Sequence, residues 1–201
     1  MPTGIAMHDA RERLLAAAER VLLRDGQNAL TSRSVTEEAG VAKGVLHRHF
    51  ADFDDFLAEL VCTRIAMAEH EIGALQGSAP LVANLADALT SVFTPVNLGL
   101  VKAVIARDGL RSRLRATTPQ GLPILNEASA ALAAYLDAER RVGRLRPDAD
   151  PRTLAMGLVG TGHLLFAGEH GGLPDAAAVR EVVASIVVGA EPGPRLRLVA
   201  Q

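Results

Sequence analysis

Residues 31–50, TSRSVTEEAGVAKGVLHRHF, constrain the fold most, because they read as two short helices joined by a tight turn. The first helix spans about Ser32 to Ala39 and is opened by Thr31, whose hydroxyl can cap free backbone N–H groups. Gly40 follows as the residue best suited to the left-handed conformation that ends a helix. A second helix is predicted from about Lys43 to His49, with Val41 packing inward at the turn. Val35, Ala39, Val41, Leu46 and Phe50 are apolar at spacings that bury one shared side. Ser32, Arg33, Lys43, His47 and Arg48 remain for the other side, which is the layout of a helix-turn-helix whose second helix enters the DNA major groove.

The order Thr31, Arg33, Val35, Glu38, Ala39, Gly40, Val41, Lys43, Gly44, Leu46, His49 and Phe50, preceded by an amphipathic helix, resembles the TetR-type transcriptional regulators. The close likeness covers roughly residues 8–68, and a looser one continues through helix count, length and the segment near residues 143–170. Four positions depart from the family pattern. Ala42 stands where a serine usually caps the recognition helix, a loss of typically ~1 kcal/mol. Val45 and His47 replace a threonine and a tyrosine, and Phe53 replaces a lysine, all of which commonly reach phosphate in the family. Val45 can instead meet a thymine methyl, an apolar form of base readout.

Charge does not advertise a nucleic-acid binder. The chain's formal net charge is −2, and residues 1–57 hold seven Lys and Arg against nine Asp and Glu. Attraction to DNA must therefore come from local placement, with Arg33, Lys43 and Arg48 forward and the acids mostly elsewhere. Hydrophobic content of 49% with only 3% aromatic implies an aliphatic, alanine-rich core, which suits helices better than a strand-rich sandwich. A single cysteine, Cys62, excludes an intramolecular disulfide or a cysteine-cluster metal site. The N-terminus lacks a signal-peptide apolar stretch, and the run Leu154–Ala167 is too short to span a bilayer. A soluble, cytoplasmic protein with no membrane partner is expected.

Periodicity places helix 1 from about Asp9 to Asp25, stopped by Gly26, and helix 4 from near Asp52 past Glu71. Gly73 to Pro80 is the break. Helices are then expected over Leu81–Phe93 and Val96–Arg107, followed by a basic segment, Arg107–Arg115. A long helix opening at Pro119 or Gly121 runs to about Val142, another from Pro151 to Gly168, and a last from Pro174 or Asp175 to Gly189. The expectation is an all-α chain of about nine helices. It divides into a three-helix helix-turn-helix DNA-binding domain over 8–68, a helical-bundle ligand-binding and dimerisation domain over 69–190, and a tail over 191–201.

From these residues and the resemblance, the candidate DNA-binding set is Thr31, Ser32, Arg33, Ala42, Lys43, Gly44, Val45, His47 and Arg48. The resemblance implies that the last two helices pair with a second copy, through close approach at Gly157 and Gly160 and the stripe Val182, Val183, Ile186 and Val187. It also implies a small-molecule pocket in the second half, for which Phe93, Leu100, Val104, Leu125, Ser129, Leu132, His163 and Phe166 are candidates, each also readable as plain core. An apolar lining with few polar groups suits an apolar effector.

Enzyme signatures are weak. Gly160-Thr161-Gly162 lacks the third glycine of a dinucleotide fingerprint and falls within a helix. Glu169-His170 with His163 lacks metal-ligand spacing, and His47 and His49 point to opposite sides of a short helix. No catalytic residue, metal or cofactor is expected. The leading expectation is a homodimeric regulator, most simply a repressor, held on a palindromic duplex operator and released by a small molecule. The alternative is a helical small-molecule-binding protein or enzyme that has lost productive DNA binding.

Overall fold

The computed structural model describes residues 3–77, 80–119, 121–167 and 173–191. Among them there is no strand; ten α-helices and one 3₁₀ turn account for the regular structure. The helices are α1 (Thr3–Asp25), α2 (Ser32–Ala39), α3 (Gly44–His49), α4 (Phe53–Ala74), α5 (Leu81–Val92), α6 (Pro95–Ala106), α7 (Asp108–Leu114), α8 (Leu125–Arg141), α9 (Pro151–Phe166) and α10 (Ala176–Val187). The all-α expectation holds, but the count is ten rather than nine. The basic segment after Arg107 is itself a helix, because Leu110 and Leu114 sit one turn apart and are both buried.

The long helix expected from Pro119 or Gly121 begins only at Leu125. Gly121 (φ 74°) and Ile124 (φ 75°) both take left-handed backbone, which interrupts any helix entering from upstream. For a β-branched residue such as Ile124 that conformation is strained, and its burial in the core holds it there. α1 starts earlier than expected, at Thr3. Gly168, Glu169 and His170 lie outside the described residues, as does all of the tail beyond Glu191.

The chain packs as two units, one of residues 1–67 with 93–126 and one of residues 68–92 with 127–201. The first is therefore not a contiguous N-terminal block: α6 and α7 return to it. Its core joins Leu14, Val21 and Leu22 of α1, Val35 and Ala39 of α2, Leu46 of α3, Phe56, Leu57 and Leu60 of α4, and Leu100 and Val104 of α6. In the second unit α10 packs on α5 and α9. Its core includes Leu85, Leu89, Leu132, Leu136, Leu158, Val183 and Val187. Among the described residues no single helix is long and apolar enough to cross a membrane.

Candidate nucleic-acid interface

Local chemistry fixes the two short helices as their sequence implies. Thr31 is the N-cap of α2: its Oγ1 accepts from the Ser34 N–H at 3.1 Å, and its own N–H donates to Ser34 Oγ at 3.0 Å, a reciprocal capping box. Gly40 closes the helix with φ 64° and ψ 36°, a conformation that disfavours any side chain. The Val41 N–H then donates back to Thr36 O at 3.1 Å, which turns the chain toward α3.

α3 is only six residues long and has no side-chain cap. Ala42 has no hydroxyl to offer, and the first turn is held by the Val45 N–H donating to Ala42 O at 2.9 Å. Helix formation starts at Gly44, one residue later than expected, with Lys43 in the turn. Leu46 is fully buried and anchors the helix to the core of the first unit.

α1 braces this pair through its arginines. Arg13 Nη2 donates to Ala39 O at 2.8 Å, satisfying one of the orphan carbonyls at the end of α2. Arg20 Nε and Arg24 Nη1 each donate to a Glu38 carboxylate oxygen at 2.7 Å. Those two guanidinium groups hold the Glu38 carboxyl below its ordinary value. Arg11 pairs with Glu59 and lies over the Phe50 ring, 5.5 Å from its centroid. Sequence reasoning missed these four arginines as positioning groups. Arg13, Arg20 and Arg24 stand at i, i+7 and i+11, a helical spacing visible in the sequence, but what they and Arg11 would meet was not.

The nine candidate contact residues fall on these two helices and their flanks. Thr31, Arg33, Ala42, Lys43, Gly44, His47 and Arg48 are exposed. Lys43 and Arg48 make no ion pair among the described residues, whereas Arg33 Nε donates to Glu37 Oε1 at 2.8 Å. Ser32 is half-buried, and its hydroxyl is enclosed without a hydrogen-bond partner among the described residues. Val45 is half-buried against the core, so only part of its surface faces outward. His47 is exposed and His49 half-buried beside Phe50, on opposite sides as expected. Phe53 is half-buried and stacked on Phe56 with centroids 5.6 Å apart: the position has become a packing residue.

The other candidate sets scatter. Phe93, Leu100, Val104 and Leu125 belong to the first unit; Ser129, Leu132, His163 and Phe166 belong to the second. Leu100 and Val104 are fully buried in the core that also holds Leu46, and Leu125 packs against that core. Leu132 and Phe166 are buried in the second unit, with Ser129 and His163 half-buried.

Of the proposed pairing face, Gly160 is exposed, while Gly157, Val182 and Ile186 are half-buried. Val183 and Val187 are fully buried and belong to the second unit's own core. The exposed apolar residues are others: Met156 (66%) and Leu164 (75%) on α9, at i and i+8 with Gly160 between, and Val188 (71%) after α10.

A polar chain in the second unit also escaped the sequence reading. Asn84 Nδ2 donates to Tyr135 Oη at 2.9 Å and to Leu75 O at 3.1 Å. Burial pushes the Tyr135 phenol above its ordinary value. Glu139, buried one turn on, is paired with Arg144 through Nη2 at 2.7 Å. These bonds tie α5 to α8 and close the end of α8.

Residues 14–60 match the family described as bacterial regulatory proteins, tetR family. No curated protein sequence matches the chain. Solved structures of similar fold include a TetR-family transcriptional regulator from Agrobacterium tumefaciens, with TM-score 0.69 and 18% identity over 92% of this chain and 100% of that one. The multidrug binding protein EbrR, complexed with imidazole, is similar at TM-score 0.59 and 26% identity over 93% and 97%. A Saccharomonospora viridis protein in complex with choline is similar at TM-score 0.65 and 18% identity over 90% and 96%.

Proposed function

We propose that this chain is a DNA-binding transcriptional regulator of the tetR family of bacterial regulatory proteins, a reading supported by the match over residues 14–60 and by the fold. The observation that carries the reading is the braced helix pair α2–α3, which leaves Lys43, His47 and Arg48 exposed together on a helix anchored by Leu46. α3 enters the major groove. Lys43 and Arg48 hold phosphate or guanine, His47 holds phosphate, the outer part of Val45 meets a thymine methyl, and Arg33 grips the flanking backbone. Thr31, Ser32, Ala42 and Gly44 bring their backbone close to the same strand. The DNA-binding domain is residues 8–68, and residues 69–190 bind effector and pair with a second copy.

A two-fold operator needs two recognition helices about 34 Å apart, hence a homodimer on a palindromic site. The exposed stripe of Met156, Gly160 and Leu164 with Val188 supports pairing through α9 and α10. The protein acts as a repressor, released when a small, largely apolar effector binds the second half. The choline- and imidazole-bound neighbours support a small-molecule effector. Selection from a random duplex pool, followed by gel shift of the winner at several salt concentrations, tests the reading. A palindromic winner bound at about nanomolar strength is expected. No enrichment overturns it, and the departures at Ala42, Val45 and Phe53 then favour a small-molecule-binding protein that has lost DNA.

A further inference from the structure

The seven-to-nine excess of acids in residues 1–57 has its densest point at Asp52, Asp54 and Asp55. Asp52 lies three residues after the end of α3, and Asp54 and Asp55 follow in the first turn of α4. Three residues of chain place Asp52 at most about 11 Å from that end. That is little more than the screening length of about 8 Å at physiological salt, so the carboxylates act on any phosphate that α3 approaches. Two local bonds hold them there: the Asp55 N–H donates to Asp52 Oδ1 and the Ala51 N–H to Asp55 Oδ2, each at 2.9 Å.

α7 meets this cluster with cations. Arg107 Nε donates to Asp54 Oδ1 at 2.7 Å, with Nη2 at 2.6 Å from the same oxygen, and the guanidinium lies 5.5 Å from the Phe53 ring centroid. Arg113 pairs with Asp52 and lies 3.9 Å from Asp55. Between them Gly109 lies so close to Asp54 that a Cβ there would collide with the carboxylate. Leu110 and Leu114 of α7 are buried in the core that holds Leu46 of α3 and Phe56 of α4. The arginines are thus set against α4 by the same core that seats the recognition helix. Asp108 and Arg111 pair with each other, so the net contribution of α7 and its N-cap residue at the cluster is Arg107 and Arg113. With these two, cations equal the nine acids of residues 1–57.

We infer that α7 is a working part of the DNA-binding surface. Arg107 and Arg113 neutralise Asp52, Asp54 and Asp55 beside α3, so that a domain acidic in its own sequence can approach phosphate. The inference rests on the DNA-binding reading above. Neither arginine touches DNA; both act through the carboxylates they cover.

The test uses the full-length chain and the duplex that the wild-type protein selects. Arg107→Gln with Arg113→Gln is expected to weaken binding about tenfold at low salt, through like-charge repulsion between exposed carboxylates and phosphate. Adding Asp52→Asn, Asp54→Asn and Asp55→Asn, which keeps a capping side chain at the start of α4, is expected to restore affinity to within about threefold. Gly109→Ala, which displaces the Asp54 carboxylate from Arg107 without changing net charge, is expected to weaken binding about threefold. Thermal melts of the same variants identify any that fail to fold, and the alanine variant then carries the test.

Wild-type affinity in the arginine variant, or no recovery on removing the carboxylates, overturns the inference while leaving the regulator reading intact. Failure of the wild-type protein to select any duplex overturns both.

Discussion

Arg13 on α1 donates to the carbonyl oxygen of Ala39, the last residue of α2, at 2.8 Å. One guanidinium thereby ties the bracing helix to the point where the chain turns into the recognition helix. Arg13→Met keeps most of the stem and removes the donor. It is expected to cost about 1.5–3 kcal/mol of stability, as loss of a hydrogen bond from a charged donor does. Urea denaturation measures it, and an unchanged midpoint would show that water replaces the bond without loss.

α3 starts uncapped: its N-cap residue, Lys43, makes no side-chain hydrogen bond to the first turn, and Ala42 before it has no hydroxyl. Ala42→Ser supplies an acceptor for the free N–H groups of the first turn, and a gain of about 1 kcal/mol or less is expected. Tighter binding to the selected duplex should accompany it. Stability rising with no change in affinity would separate helix order from recognition.

Lys43 and Arg33 differ in whether a carboxylate already holds them. Lys43 has no competing ion pair among the described residues, so Lys43→Ala is expected to weaken binding to all sequences and lower the salt slope by about one unit. Arg33 is held by Glu37. Glu37→Gln releases it, and tighter DNA binding at low salt is the expected result. An unchanged slope in the first variant refutes the phosphate contact.

The Glu38 carboxyl is held below its ordinary value by the hydrogen bonds from Arg20 and Arg24. A depressed carboxyl contributes stability that is fully present above its unfolded value, about 4.3, and is lost as pH falls through the lower folded value. Thermal midpoints should therefore hold from about pH 7 to 5 and fall below about pH 4.5, less steeply in Glu38→Gln. A variant with the same acid limb as the wild type would remove Glu38 from the account.

The two residue sets on α9 and α10 separate pairing from folding. Leu164→Glu, at an exposed position, should leave the monomer fold intact and yield a monomer by light scattering at micromolar concentration. Val183→Ala, at a fully buried one, should lower stability by on the order of 2 kcal/mol while the oligomeric state persists. The reverse pattern would place the interface on the buried stripe instead.

The helix-turn-helix was legible because its determinants are local. Thr31 caps within three residues, Gly40 ends α2 by its own backbone preference, and Leu46 and Val35 announce the buried side by periodicity. The exposed set Lys43, His47 and Arg48 followed from the same spacing. Val182, Val183, Ile186 and Val187 of the expected pairing stripe are similar in the sequence, yet Val183 and Val187 are fully buried within their own unit and Val182 and Ile186 half-buried, a division that depends on packing and not on residue type. α7 was missed as a helix because its seven residues show only two apolar positions, too few for a period.

The sequence by itself determined α2 and α3, the turn between them and the residues that face outward there, since each depends on neighbours within a turn or two. The tertiary structure alone decided which distant residues serve that surface. Arg13, Arg107 and Arg113 acquire their roles from partners 26, 53 and 61 residues away. A charge carries no local preference that says what it will meet; only packing of the apolar faces of α1, α6 and α7 into one core brings those partners within hydrogen-bond reach.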